Sequence, residues 1–204
     1  MTRDEIRVRV RDYLYESSAD LWSDAQINRL YEEETRSLPE KDVYLEELWT
    51  TSTVADQIDY TLPDGTVKVE LVERNYGTST KPDWGELSGW DNYSGALYLP
   101  YTPTDVESIR IHIKKRFTVV TDDVTALDLP DEKTELLVWG IVVRAYQMLI
   151  GYLRGSVSWD SVTKPGDVAI TSVGNWLRDA RDHYRELTHQ FQTTPKPREI
   201  NLTS

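Results

Sequence analysis

The stretch LPDEKTELLVWGIVVRAYQMLIGYL, residues 129–153, decides how the rest of the chain must be arranged. Leu136, Leu137, Val138, Ile141, Val142, Val143, Ala145, Met148 and Leu149 leave it apolar on nearly every side. A helix of that kind belongs in the middle of a core. Leu129-Pro130 marks its start, and Asp131, Glu132 and Glu135 place negative charge in the first turn, where the helix dipole favours it. Trp139-Gly140, Arg144 and Gln147 interrupt the apolar run, which makes it too short and too polar for a good membrane span.

A central helix needs neighbours, and the flanks supply them. Downstream, Val173, Trp176, Leu177, Ala180, Tyr184, Leu187 and Phe191 fall on one stripe of a helix from about Val168 to Gln192. Upstream, Thr2 with Glu5 and Ser23 with Gln26 are two capping boxes. They open short helices with Ile6, Val10, Tyr13 and Leu14, and then Ile27, Leu30 and Tyr31, on their apolar faces. Each is too short to be stable alone in water, so both must pack.

Between Leu48 and Val120 the period changes to two. Ile58-Asp-Tyr60-Thr-Leu62 alternates, and Asp64-Gly65 reads as a hairpin turn before Val67-Lys-Val69-Glu-Leu71. In the stretch Ser108 to Phe117, Ile109, Ile111 and Ile113 point one way and Arg110, His112, Lys114 and Arg116 the other. A small antiparallel sheet with one covered face is the economical reading.

The expected fold is therefore α+β. It has a four-helix bundle-like core, an inserted antiparallel β-rich subdomain and an extended C-terminal arm. Residues 1–47 hold the N-terminal helices, 48–128 the insertion, 129–192 the closing helices and 193–204 the arm. The arm carries Pro195 and Pro197, which exclude helix. It reads either as terminal disorder or as an extended segment that docks on a neighbour by strand addition.

Composition narrows the function classes. Across 204 residues the formal charge is −12, which argues against general affinity for nucleic acid or an anionic membrane. Without cysteine there is no disulfide, thiol nucleophile or cysteine zinc site. No P-loop, Gly-x-Ser-x-Gly, Gly-x-Gly-x-x-Gly or His-Glu-x-x-His motif occurs. Neither a catalytic nor a metal-ligating set, nor a cofactor, is expected. Glu32-Glu33-Glu34 reads as a solvated helix face, and Asp91 to Gly95 as a turn rather than a cation loop.

Two features exceed background. The segment 75–95 carries Trp84, Trp90 and Tyr93 among glycines and serines, as a flexible loop whose aromatics either meet a partner or a sugar or fold back over the sheet. The stripe Arg110, His112, Lys114 and Arg116 is basic in an acidic chain; it faces DNA phosphates or an acidic partner, or pairs with nearby carboxylates.

The order of elements resembles the head-to-tail adaptor, or connector, proteins of tailed bacteriophages and related viruses. The resemblance is carried by the short first helix, Leu21-Trp22-Ser23-Asp24-x-x-Ile27, Tyr60-Thr-Leu-Pro63, and Trp176-Leu177-x-x-Ala180. It covers about Met1 to Pro63 and Leu129 to Gln192.

It implies a structural virion protein at the head–tail interface, made in the host cytoplasm, that forms a ring, commonly of twelve copies, beneath the portal protein. Its further partners would be a stopper, tail-completion or tail-tube protein, with double-stranded DNA passing through the channel unbound and no membrane. The resemblance also implies that the C-terminal arm reaches into the portal; as an extended strand it would dock there through Pro195, Lys196, Pro197, Arg198, Ile200 and Leu202, with strand alternation making Ile200 and Leu202 same-side anchors. The long strand-rich insertion departs from the compact helical members. The alternative function is a glycan- or surface-binding module using Trp84, Trp90 and Tyr93.

Overall fold

A computed structural model describes residues 1–16, 21–156 and 170–192. The chain divides into two compact units, one formed by Met1–Val43 with Thr118–Ser204 and the other by Tyr44–Phe117.

The first unit is helical: α1 (Arg3–Tyr13), α2 (Asp24–Ser37) continuing into a 3-10 turn (Leu38–Lys41), α3 (Asp131–Ser156) and α4 (Ile170–Gln192). Both capping boxes are made, Thr2 with Glu5 and Ser23 with Gln26. Helix α3 buries Leu136, Leu137, Val138, Ile141, Val142 and Ala145. Its neighbours contribute Ile6 and Val10 from α1, Ile27, Leu30 and Tyr31 from α2, and Val173, Leu177 and Ala180 from α4. The Tyr31 hydroxyl, fully inside, accepts the Val120 N–H at 3.2 Å. Residues 118–130 run back to the N-terminus, where Arg3 and Arg7 both pair with Asp123 at 2.8 and 2.9 Å.

This arrangement is not the expected bundle. Helix α3 packs on each of the other three, and α1 packs on α2, but α4 lies principally along α3. Four apolar stripes do not converge, because the groups that link α4 with α2 are polar: Tyr184 meets Glu34 and Lys41 there. Trp176, on the apolar stripe of α4, is 41% exposed.

The second unit is all β: β1 (Leu45–Ser52), β2 (Asp59–Thr61), β3 (Thr66–Asn75), β4 (Trp84–Glu86), β5 (Asp91–Tyr93), β6 (Ala96–Tyr98) and β7 (Ser108–Lys115). There are two antiparallel sheets rather than one, in the orders β1-β7-β3-β4 and β2-β6-β5. Their inner faces share a core of Tyr60, Leu62, Leu97 and Leu99 with Val69, Val72, Ile109, Ile111 and Ile113.

Asp64-Gly65 makes a turn, with Gly65 at φ 78° and the Thr66 N–H on Pro63 O. It joins two sheets instead of closing a hairpin, because β2 pairs with β6 while β3 pairs with β7. The true two-residue hairpin turn is Ser94-Gly95 between β5 and β6, where φ is positive at both residues, as a type I′ turn requires.

Candidate functional site

Strand β7 is central in its sheet and buries Ile109, Ile111 and Ile113, so alternation sends Arg110, His112 and Lys114 to the other face. What they meet there depends on β3. The register with β7 shifts between Val69 and Leu71, an irregularity of the bulge type. Past it Val72 enters the core, Leu71 turns outward, and Glu70 and Glu73 stand beside the basic row.

Arg110 donates to both Glu73 oxygens, Nε at 2.6 Å and Nη2 at 3.2 Å. His112 Nε2 lies 2.8 Å from Glu73 Oε2, and Lys114 lies 2.9 Å from Glu70. Burial alone pushes the Glu73 carboxyl up, but hydrogen bonds and charge from Arg110 and His112 outweigh it and hold the group below the usual carboxylate value. The Arg110 guanidinium also stacks on Trp84, 4.4 Å from the ring centroid, and the Lys114 ammonium sits over Tyr44 at 5.3 Å. Arg116 is exposed and has no ion pair among the described residues. Three of the four basic residues thus have a carboxylate partner within the sheet.

The aromatic segment is built rather than flexible. Residues 75–95 contain β4 and β5, and the Asn75 side-chain oxygen accepts the N–H groups of Gly77 and Asp83, both at 2.9 Å, closing the turn between them. Trp84 carries Arg110, Trp90 packs against the sandwich core, and Tyr93 alone of the three points outward, at 74% exposure. A third aromatic cluster was not singled out by sequence. Arg74 lies between the rings of Tyr76 and Tyr101, about 5 Å from each, and pairs with Glu107. Burial first, then the Glu107 carboxylate that accepts its hydroxyl at 2.8 Å, pushes Tyr101 up to about 12. The alternation Arg74-x-Tyr76 was the only local sign of it.

The helical unit holds the constellation that sequence reading placed wrongly. Glu34 is buried at 1% exposure and is no solvated face residue, although its neighbour Glu33 remains outside. One oxygen takes Lys41 at 2.6 Å and the Tyr184 hydroxyl; the other takes Arg144 Nε at 2.6 Å and Ser37 at 3.3 Å. Gly140 makes room for it: a Cβ there would stand 2.5 Å from the carboxyl carbon. Burial raises the Glu34 carboxyl, but Lys41, Tyr184 and Arg144 together bring it below its ordinary value. Burial and the adjacent carboxylate drive Tyr184 far upward, so it stays a neutral donor. Arg144 within an apolar helix was the available sequence signal, since a cation set among apolar residues calls for an anion beside it.

Among the described residues no group of three or more histidine, aspartate or glutamate side chains is placed to hold a metal ion, and no helix is long and apolar enough to cross a membrane. The arm residues Pro195, Lys196, Pro197, Arg198, Ile200 and Leu202 lie outside the described residues. In comparisons with known proteins, the chain matches no protein family and no curated protein.

Proposed function

We propose that the chain is a structural head-to-tail adaptor of a tailed virus. It would assemble as a ring beneath the portal, with a stopper or tail protein docked on its other side. The observation that supports this reading is the treatment of charge. Glu34, Glu16, Glu73, Glu70 and Glu107, among the described residues, are drawn in from the surface and each held by a cation, which fixes geometry. What stays open is contact surface: the outer edge of β1, Tyr93 and Trp176.

The resemblance in element order supplies the ring and its partners. The net charge of −12 suits a channel wall past which DNA slides without binding. Trp90 packs inward and Trp84 is occupied by Arg110, which takes two of three aromatics from the glycan-binding alternative.

The test is electron microscopy of the chain mixed with the portal and tail proteins encoded beside it. A ring stacked coaxially on the portal is expected. A chain that stays unassociated with every one of them would rule the adaptor out.

A further inference from the structure

We infer that the free edge of β1 accepts residues 198–204 of a neighbouring copy as an added parallel strand. The side-by-side placement of copies rests on the adaptor reading; the edge itself does not. Strand β1 lies at the end of its sheet and pairs with β7 in unbroken register from Leu45↔Lys115 to Ser52↔Ser108. The other outer strands, β4, β2 and β5, have three residues each, which protects them by shortness. Edge strands of full length are ordinarily blunted by proline, lysine or a bulge. The sequence LEELWTTS of β1 has no proline, lysine or bulge, and of its two charged residues Glu47 is already paired with Lys115 at 3.0 Å, leaving Glu46 on the outer face.

Its outward row also specifies what should lie beside it. Glu46, Leu48, Thr50 and Ser52 share the face away from the core, and Leu48 is 49% exposed. Glu46 has no ion pair among the described residues, because Lys114 opposite it turns to Glu70. An added strand therefore needs a cation and then an apolar residue two positions later. In the sequence 198–204, REINLTS, that order occurs on one face: Arg198, Ile200, Leu202, Ser204. A parallel register sets Arg198 by Glu46, Ile200 by Leu48, Leu202 by Thr50 and Ser204 by Ser52. Pro195 and Pro197 lack an N–H and confine pairing to the residues after them. Because donor and acceptor surfaces differ, each copy both gives and receives, a head-to-tail contact that forms a ring when the rotation between copies closes.

The absence of cysteine makes the contact directly testable. Full-length Leu48→Cys and Ile200→Cys variants, mixed under a mild oxidant, should form a mixed disulfide dimer. Leu48→Cys with Asn201→Cys, whose side chain falls on the other face, should form several-fold less. A chain that stacks as a ring on its portal yet yields no 48–200 product would overturn the strand contact and leave the adaptor reading standing. A 48–200 product with no ring on any portal would keep the contact and remove the adaptor. Cross-linking of Leu48→Cys only with itself would overturn the contact in favour of a β1–β1 pair. As a second measurement, Leu48→Lys should weaken self-association several-fold in sedimentation with an unchanged circular dichroism spectrum. Unchanged association would count against the edge.

Discussion

Replacing Gly140 with alanine should destabilise the helical unit, although helix propensity alone favours alanine over glycine by about 1 kcal/mol. The reason is the approach of α2. An alanine Cβ would sit 2.5 Å from both the carboxyl carbon and Oε1 of Glu34, and 2.7 Å from its Cγ. The end of a glutamate would normally swing aside at little cost. Here it is enclosed and held by Lys41, Arg144, Tyr184 and Ser37.

Moving the carboxylate out of that grip sacrifices at least two charge-assisted hydrogen bonds, worth about 1.5–3 kcal/mol each. Less the propensity gain, the net loss is about 2–5 kcal/mol. Urea unfolding followed at 222 nm, where the helices dominate, measures it. The same substitution in a Glu34→Ala background removes the clash, so there Gly140→Ala should stabilise by about 1 kcal/mol. A rise in the unfolding midpoint of Gly140→Ala in the native background would refute the close approach.

Two further predictions follow from the register of β3 and from the depressed carboxylates. Val72→Ala should cost about 2 kcal/mol and Leu71→Ala under about 1 kcal/mol in denaturant unfolding, the reverse of what strict alternation through Val67 and Val69 would give. Equal costs would mean the shift in register is wrong. Glu34 and Glu73 both titrate below the ordinary 4.5 in the folded chain, so their stabilisation is complete above that value and is lost as pH falls through their lower folded values. The melting temperature should accordingly drop below about pH 4.5, and the drop should be shallower in Glu73→Gln; an identical acid limb in that variant would remove Glu73 from the account.

Local rules of one element were readable from the chain. The Thr2 and Ser23 caps, the apolar α3 and the alternation of β7 each follow from a few adjacent residues. What sequence missed depends on partners distant in the chain. Glu34 looks like one of three solvated acids until Arg144 and Tyr184 arrive from other helices. The basic row of β7 looks available until the register shift in β3 presents Glu70 and Glu73 to it. Asp64-Gly65 is a competent turn in either reading, and only the pairing of β2 with β6 shows that it changes sheets. The bundle expectation failed for the same reason: amphipathic stripes say that a helix packs, not on how many neighbours.

The register Leu45↔Lys115 bears on how the chain folds. It sets the entry and exit of the β unit on adjacent antiparallel strands, about 5 Å apart. While Tyr44–Phe117 is disordered, bringing α2 to α3 means closing a loop of that whole length, at an entropic cost of about 4 kcal/mol. Once the sandwich has formed, the same span is one strand spacing wide and nearly all of that cost has already been met. The inserted unit then acts as a staple for the discontinuous helical one.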